Sequence, residues 1–238
     1  MDRDLVKILG YGVDSFSFED AVDYASTHSG QIVTINPEMI ETAHKNPDFS
    51  TLLSNAELVV PDGIGVEIGL KILGHKIKRI PGIELGKALI IKFSKENRSV
   101  AMVGAKAEVI DLAIKNLKSE VENLNVVYSH DGYFSEPEPI LSDLVNANPD
   151  LVLVALGSPK QEFFINSLKN RLPNATMIGL GGSFDVWAGV VTRAPKIYQK
   201  LGLEWLYRTV KEPQRFKRIF PTLPLFVLRV LKERLSVR

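Results

Sequence analysis

Asp62 is the carboxylate of this chain whose surroundings best suit acid–base chemistry. It follows the apolar stretch 57–60 and precedes two glycines, Gly63 and Gly65, which allow a ligand to come close to the backbone. A partly desolvated aspartate in such a place can act as a general base. An aspartate here is equally typical of an N-cap or turn before a helix that the pattern predicts from Val66. The local sequence leaves both roles open.

The segment Gly157-Ser158-Pro159-Lys160-Gln161-Glu162 is a second candidate, because it follows the apolar stretch LVLVA and precedes a helical pattern. Amides at the start of a helix bind phosphate groups well. An ordinary turn between a strand and a helix accounts for the same residues equally well. Neither GxGxxG nor GxxxxGK[ST] occurs in its proper context, and the glycines at 179–182 have the wrong spacing. The sequence therefore disfavours a P-loop protein and a dinucleotide-dependent oxidoreductase.

The residue types of a metal centre are sparse. The chain has no cysteine, and its four histidines lie far apart in sequence. An Asp-x-Asp triplet, which often binds a divalent metal in sugar-nucleotide enzymes, occurs only at 2–4, before the first predicted strand. We predict no catalytic metal and no cofactor.

Positive charge is concentrated at the C-terminal end. Residues 193–238 contain 12 lysines and arginines against 3 acidic residues, whereas the remainder contains 17 against 25. This distribution predicts an anionic partner. Aromatic residues interleave with the cations, and 223–235 is amphipathic, which suits an anionic membrane surface. A basic-tailed nucleic-acid-binding protein is the alternative, but the rest of the chain is acidic and no RNA-binding motif is recognisable, so we expect no nucleic-acid partner.

Arg208, Arg215 and Arg218 would share one face of a continuous helix. Guanidinium groups hold phosphates through paired hydrogen bonds. Pro213 makes a continuous helix doubtful, and Glu204 is spaced to pair with Arg208. A C-terminal helix pair that packs on the domain with a solvated basic face is therefore an alternative of equal weight.

The sequence indicates peripheral rather than integral membrane contact. No run of about 18 uncharged apolar residues occurs, and the N-terminus lacks the apolar core of a signal peptide. We expect a cytoplasmic protein that is peripheral on the inner face of the cell membrane. An exposed apolar tail can self-associate where lipid is absent, which leaves a homo-oligomer open.

The elements that must position these residues alternate between strands and helices. Strands are predicted at 7–13, 31–35, 57–60, 99–103, 125–128, 151–155 and 176–180, and helical spacing at 18–28, 38–54, 66–73, 86–94, 107–122, 140–146 and 160–170. This order predicts an α/β fold, a Rossmann-like and mainly parallel sheet covered by helices. Beyond 190 only helical patterns remain, with Pro195, Pro213, Pro221 and Pro224 as expected breakers. We therefore expect a core at 1–193 and a helical appendage at 194–238.

In such sheets ligands bind beyond the carboxyl ends of the strands. The polar and glycine residues at the strand ends and just after them are thus the ones to examine. They are Thr34, Asn36, Asp62, Gly104, Gly157, Gln161 and the segment 181–185.

Several short motifs occur together in a fixed order. They are Thr34-Ile35-Asn36-Pro37-Glu38, Pro61-Asp62-Gly63-Ile64-Gly65, Arg79-Ile80-Pro81-Gly82-Ile83-Glu84-Leu85, Asp131-Gly132-Tyr133-Phe134, Gly157-Ser158-Pro159-Lys160-Gln161-Glu162, Gly181-Gly182-Ser183-Phe184-Asp185, Arg193-Ala194-Pro195 and Gly202-Leu203-Glu204-Trp205-Leu206-Tyr207-Arg208. As a set they resemble the WecG/TagA/CpsF glycosyltransferases (glycosyltransferase family 26) over nearly the whole chain.

The resemblance implies an inverting, metal-independent transfer of a sugar from a UDP-sugar to a polyprenyl-diphosphate-linked sugar, in bacterial cell-surface polysaccharide or wall teichoic acid synthesis. It also implies a Rossmann-like core with a C-terminal appendage that docks on the membrane. The best-known members add N-acetylmannosamine to undecaprenyl-diphosphate-linked N-acetylglucosamine.

Carried over by motif, the resemblance makes Asp62 the general base and places Thr34 and Asn36 in its pocket. Gln161 would contact the sugar nucleotide, while Arg79 and Asp185 are assigned only to the pocket. Diphosphate would be held by the motif arginines Arg208, Arg215 and Arg218. One segment departs from the usual pattern: it has Lys78 where members usually have Glu, and Glu84 where they have Asp. This departure bears on the identity of the sugar rather than on the reaction class.

Overall fold

A six-stranded parallel sheet forms the centre of the protein. The computed structural model describes residues 3–211 and 216–236, excluding the side chains of Arg208, Lys217 and Arg218. An antiparallel hairpin, β1 (Leu5–Ile8) and β2 (Tyr11–Asp14), comes first. The sheet consists of β3 (Gly30–Ile35), β4 (Leu58–Pro61), β5 (Ser99–Gly104), β6 (Asn125–His130), β7 (Leu151–Ala155) and β8 (Thr176–Gly179), in the order β4-β3-β8-β7-β5-β6. The predicted α/β fold is confirmed.

Helices cover both faces of this sheet. They are α1 (Phe18–Thr27), α2 (Pro37–Ala43), α3 (Pro47–Ser54), α4 (Gly63–Leu73), α5 (Gly82–Lys95), α6 (Ala107–Glu120), α7 (Glu138–Ala147), α8 (Lys160–Lys169), α9 (Ser183–Trp187), α10 (Lys196–Lys200), α11 (Glu204–Lys211) and α12 (Phe216–Ser236). Because successive strand residues point to opposite faces, Leu151 and Leu153 of β7 enter one apolar cluster while Val152 and Val154 enter another. Strands that are covered on both faces need continuous apolar runs, as LVLVA illustrates.

The stretch 38–54, read from the sequence as helical throughout, forms two helices. Asn36 caps α2, with its Oδ1 accepting a hydrogen bond from the Met39 amide at 3.0 Å. Asn46 repeats this arrangement for α3, accepting from the Phe49 amide at 3.1 Å. A proline follows each cap at the first helical position, where its missing N–H costs nothing. The second Asn-Pro pair therefore ends one helix and begins the next.

The N-terminal hairpin packs beside β4 at one edge of the sheet, and the turn at Leu9-Gly10 divides the single predicted strand in two. Asp14 is fully buried there. Its Oδ2 accepts from the Val59 amide at 2.8 Å, and Arg3 pairs with the same carboxylate through two hydrogen bonds of 2.7 and 2.8 Å. The hairpin is thus fastened to the sheet by a paired and satisfied buried charge.

The C-terminal helix α12 packs against α2 and α4, and it runs through Pro221 and Pro224. The expectation that these two prolines break the helix was wrong. A proline inside a helix costs about 3 kcal/mol. The burial of Phe226 and Val230 in the same apolar cluster as α2, α3 and α4 offsets part of this cost. Of the other two expected breakers, Pro195 directly precedes α10 at its N-cap position, and Pro213 lies outside the described residues.

Small residues on α4 allow this close packing. A Cβ atom on Gly69 would lie 2.8 Å from the Ile8 side chain and 3.1 Å from the Phe226 ring. A Cβ atom on Gly65 would lie 2.6 Å from Pro37 and 3.7 Å from Leu223. Glycine at both positions brings α12 next to the first turns of α2 and α4, which begin directly after Asn36 and Asp62.

Candidate active site

A cavity of about 820 Å³ opens at the carboxyl edge of the sheet. Its floor comes from the ends of β3, β4, β7 and β8, and its walls come from α2, α4, α8, the segment 79–83, and the first residues of α11 and α12. Five of the residues predicted for the site line it together: Thr34, Asn36, Asp62, Arg79 and Gln161. Far-apart stretches meet here because neighbouring parallel strands end at the same edge.

Asp62 is half-buried on the cavity wall, at the point where β4 passes into α4. Its backbone amide donates to the Ile35 carbonyl at 2.8 Å, which extends the pairing of β3 with β4 by one residue. Asp62 occupies the N-cap position of α4, but its side chain makes no capping hydrogen bond. The structure therefore excludes the helix-capping role that the local sequence left open for the Asp62 carboxylate. Its role as a base remains a prediction.

Thr34 and Asn36 lie at the end of β3, next to Asp62 in the cavity. A Cβ atom on Gly82 would lie 3.2 Å from the Thr34 hydroxyl oxygen, so a side chain there would crowd Thr34 at the start of α5. The Asn36 cap uses the Oδ1 atom alone. The position of both residues is fixed by strand pairing and by the start of α2, rather than by a flexible loop.

Gln161 is buried in the first turn of α8 and belongs to a chain of hydrogen bonds behind the cavity surface. Its Oε1 accepts from the Gly181 amide at 2.9 Å, and its Nε2 donates to Glu162 Oε1 at 2.7 Å. The Gln161 backbone amide already donates to the Gly157 carbonyl at 3.0 Å, and Pro159 has no N–H. At least two of the amides expected to bind phosphate at this helix start are thus unsuited to it.

Burial sets the protonation chemistry of the neighbouring Glu162, whose side chain is 3% exposed. Desolvation raises the pKa of this carboxyl above its ordinary value, and interactions with the Gln161 amide and the Ser158 hydroxyl oppose the rise only in part. No role for Glu162 is predicted from the sequence. A carboxylate beside the predicted Gln161 was the available signal.

Arg79 and Arg193 fasten the segment 193–207 to the core. The Arg79 guanidinium donates to the Gln199 carbonyl. Arg193 Nη2 lies 2.8 Å from Glu84 Oε1, and its Nε lies 3.5 Å from Glu204 Oε1. Three sequence motifs therefore meet in one ion-pair cluster. The Glu84 that replaces the usual aspartate is one of its members, so this departure is used in holding the cavity wall.

Four residues predicted for the site remain: Asp185, Arg208, Arg215 and Arg218. Asp185, on α9, is not among the residues that line the cavity. Arg208 lies on α11 and Arg218 on α12, but their side chains are outside the described structure, and Arg215 is wholly outside it. Their phosphate-binding role remains a prediction.

The sequence reasoning missed a wall made by α2. Its cavity-lining residues Glu38, Glu41 and Thr42 recur at helical spacing after Asn36, and Lys45 lines the cavity just beyond the end of the helix. That spacing can be read from the sequence and was the signal by which these residues could have been predicted. Glu41 is almost completely buried, and its Oε1 lies 3.2 Å from Arg229 Nε of α12. In residues 3–211 and 216–236 no group of three or more His, Asp or Glu side chains is arranged to hold a metal ion.

Helix α12 contributes both to the cavity and to an exposed apolar surface. Ile219, Pro221 and Thr222 line the cavity. Large apolar side chains of the same helix are exposed, namely Phe216, Phe220, Leu228, Leu231 and Leu235. We call these five residues the outer face of α12. None of the helices in the described ranges combines the length and the apolar character that crossing a bilayer requires.

The sequence comparisons agree with the geometry. Residues 6–238 match the model of the glycosyl transferase WecG/TagA/CpsF family. A relative from Bacillus subtilis strain 168, named N-acetylglucosaminyldiphosphoundecaprenol N-acetyl-beta-D-mannosaminyltransferase, is 37% identical over 219 residues, covering 89% of this chain and 85% of its own. A relative of the same name from Bacillus spizizenii strain W23 is 38% identical over 209 residues, covering 87% and 81%. The ordered motifs, the parallel sheet and these matches together show that the chain belongs to the WecG/TagA/CpsF family and is a glycosyltransferase.

Proposed function

We propose that this enzyme transfers a sugar, N-acetylmannosamine or a related hexose derivative, from a UDP-sugar to a polyprenyl-diphosphate-linked sugar. The reaction inverts the anomeric centre and needs no metal. The single observation that carries the proposal is the position of Asp62, half-buried in the cavity beside Thr34 and Asn36 and without a capping role. The printed names of the relatives supply the sugar and the lipid-linked acceptor for those proteins.

In the proposed reaction Asp62 removes the proton from the attacking hydroxyl of the acceptor sugar. The hydroxyl oxygen forms a bond to the anomeric carbon of the donor as the bond from that carbon to the diphosphate oxygen breaks. The bonding electron pair leaves with UDP, and attack from the opposite face inverts the centre. One positioned base contributes about 10²–10⁴-fold to the rate of such a step.

The departing diphosphate needs positive charge as it leaves. We assign this task to Arg208, Arg215 and Arg218, while Arg79 lines the cavity. Guanidinium groups can hold a diphosphate through paired hydrogen bonds. We assign them the charge stabilisation that a divalent cation provides in many transferases that use nucleotide-linked sugars.

We further propose that the outer face of α12 lies against the inner surface of the cell membrane. A polyprenyl chain stays in the bilayer, so the enzyme must bring its cavity to the lipid. The large apolar residues of this face are exposed, while Ile219 and Thr222 of the same helix line the cavity. Apolar area and nearby cations together favour binding to anionic lipid. The product would enter cell-surface polysaccharide or wall teichoic acid synthesis.

A transfer assay tests the proposal. Purified enzyme is incubated with a small panel of UDP-sugars and polyprenyl-diphosphate-linked N-acetylglucosamine, with and without EDTA, and the product is examined for its anomeric configuration. We expect transfer from at least one N-acetylhexosamine donor, unaffected by EDTA, with inversion. Absence of transfer from every donor would refute the donor class. A retained configuration would refute the mechanism, and loss of transfer in EDTA would refute metal independence.

A further inference from the structure

Glu162 is a buried carboxylic acid that the proposed reaction does not use. Only 3% of the residue is exposed, although it lies in the first turn of α8 beside a wall of the cavity. Its Oε1 accepts one hydrogen bond, from Gln161 Nε2 at 2.7 Å. Its Oε2 has no partner that meets hydrogen-bond geometry in the described part of the chain, and the Ser158 hydroxyl acts on the carboxyl only as a weaker interaction that lowers its pKa. A buried polar group with incomplete partners is costly, so its presence needs a reason.

The contact of Glu162 with Gln161 fixes the orientation of an amide that would otherwise be free to turn. In the observed orientation Gln161 Oε1 faces the Gly181 N–H at 2.9 Å, and Nε2 faces the Glu162 carboxyl. Turning the amide by 180° would set Nε2 against the Gly181 N–H, donor against donor. It would also remove the donor that Glu162 Oε1 accepts from. Glu162 and Gly181 thus hold the amide from its two ends.

The amide is also confined on one side by the backbone of β8. A Cβ atom on Gly179 would lie 2.5 Å from Gln161 Nε2, so a side chain at this position could not coexist with the observed amide. Gly181 itself has φ +50°, a conformation that its hydrogen bond to Gln161 helps to maintain. The segment 179–183 forms part of the cavity surface.

We propose that Glu162 is a positioning residue that acts through Gln161: its buried carboxyl holds the Gln161 amide, and that amide holds the segment 181–183 in the shape that binds the sugar-nucleotide donor. The assignment of the donor rests on the proposed function. The relay from Glu162 through Gln161 to Gly181 stands on the hydrogen bonds alone.

Two variants separate the acceptor role of Glu162 from its volume. Glu162→Met keeps a long side chain but removes the acceptor for Gln161 Nε2. Glu162→Gln keeps an acceptor oxygen at nearly the same place. A control, Thr176→Val, removes a buried hydrogen bond of 2.9 Å to the Ala25 carbonyl at the opposite end of β8. It measures the effect of a general loss of stability.

The first measurement needs no substrate. Amide hydrogen exchange of Gly181 reports the bond between its N–H and Gln161 Oε1. We expect about tenfold faster local exchange in Glu162→Met, from the loss of one hydrogen bond that orders the amide, and exchange within about twofold of wild type in Glu162→Gln and Thr176→Val. Unchanged exchange in Glu162→Met, or equal acceleration in all three variants, would overturn the proposal.

The second measurement is donor KM in the transfer assay. We expect Glu162→Met to raise the KM for the UDP-sugar about tenfold, with kcat and the acceptor KM changed by less than about threefold, and Glu162→Gln to restore the donor KM. Equal losses in both Glu162 variants, or a loss confined to kcat, would contradict the donor-binding role. If the wild type transfers no sugar while Gly181 exchange follows the expected pattern, the proposed function fails and the relay stands.

Discussion

The guanidinium Nε of Arg229 on α12 lies 3.2 Å from the buried carboxylate of Glu41 on α2. Glu41 lines the cavity, and α2 begins directly after Asn36. The helix that carries the outer apolar face is therefore tied by an ion pair to the helix that starts in the site. A displacement of α12 would therefore be transmitted through this ion pair to α2, which forms a wall of the cavity.

This pair leads to a stability prediction. Arg229→Met leaves the Glu41 carboxylate buried without its counter-charge, and we expect a loss of about 1–3 kcal/mol, less than for a fully buried pair because the Arg229 side chain is 41% exposed. Denaturant unfolding measures it. Arg171→Met, which breaks the exposed pair with Glu138, is the matched control and should cost clearly less, because solvent screens both of these charges. Equal losses would mean that the Glu41 pair has no special role.

Asp62→Asn is expected to lower kcat by about 10²–10⁴-fold, because the amide keeps the size of the side chain but cannot take a proton at the acceptor hydroxyl. Asp62→Ala should behave in the same way. The fold should be retained, since the Asp62 side chain is only half-buried and does not cap α4. Asp111→Asn, on the exposed side of α6, serves as the control in the transfer assay. Near-normal turnover of Asp62→Asn would remove Asp62 from the role of base.

The outer face of α12 predicts a lipid-binding defect without unfolding. Phe220 and Leu228 are 62% and 64% exposed, so replacing both with serine should leave the fold intact. We expect the double variant to bind vesicles containing anionic lipid at least about tenfold more weakly, because apolar contact with the membrane is lost. Co-sedimentation with such vesicles measures this. Leu112→Ser, at an exposed position on α6, should bind as wild type does. Unchanged binding by the double variant would contradict membrane docking through this face.

Arg193 is expected to act on the cavity through the segment that it holds. Arg193→Ala removes the ion pairs to Glu84 and Glu204 and frees the wall that carries Trp205. We expect kcat/KM to fall about tenfold with a small change in melting temperature. Lys87→Ala, which breaks an exposed pair with Glu120, should leave kcat/KM unchanged. Full activity of Arg193→Ala would show that the wall holds its shape without this cluster.

The raised pKa of Glu162 predicts a pH-dependent stability. Because burial raises its folded-state pKa above the ordinary 4.5, ionisation costs the folded state more than the unfolded chain. Below about pH 4.5 both states are protonated and no penalty exists; the penalty grows as the pH rises through the folded-state pKa. Wild type should therefore lose stability relative to Glu162→Gln as the pH rises above about 4.5, as measured by urea unfolding.

Glu138 supplies a control of opposite sign. Hydrogen bonds from Arg171 lower the pKa of its carboxyl, so wild type should lose stability relative to Glu138→Gln only as the pH falls below about 4.5. If the stability difference between wild type and Glu162→Gln does not change with pH, Glu162 is not a desolvated acid.

The sequence by itself determined the α/β class, because apolar strands and amphipathic helices alternate at a spacing that only a helix-covered parallel sheet can bury. It also located Thr34, Asn36, Asp62 and Gln161, since a side chain that follows a parallel strand must lie at the edge where all such strands end. The ordered motifs identified the family. These inferences depend on local periodicity and on one topological rule, and both are readable along the chain.

Only the tertiary structure decided which partners those residues have. The path of α12 through two prolines depends on Phe226 and Val230 entering a core built from distant strands and helices, and propensity along the chain predicts a break there. Glu41 and Glu84 look like ordinary helix carboxylates until folding brings Arg229 and Arg193 against them, and Glu162 looks like one until folding buries it. Burial and charge pairing are properties of contacts between segments far apart in sequence, so no local pattern encodes them.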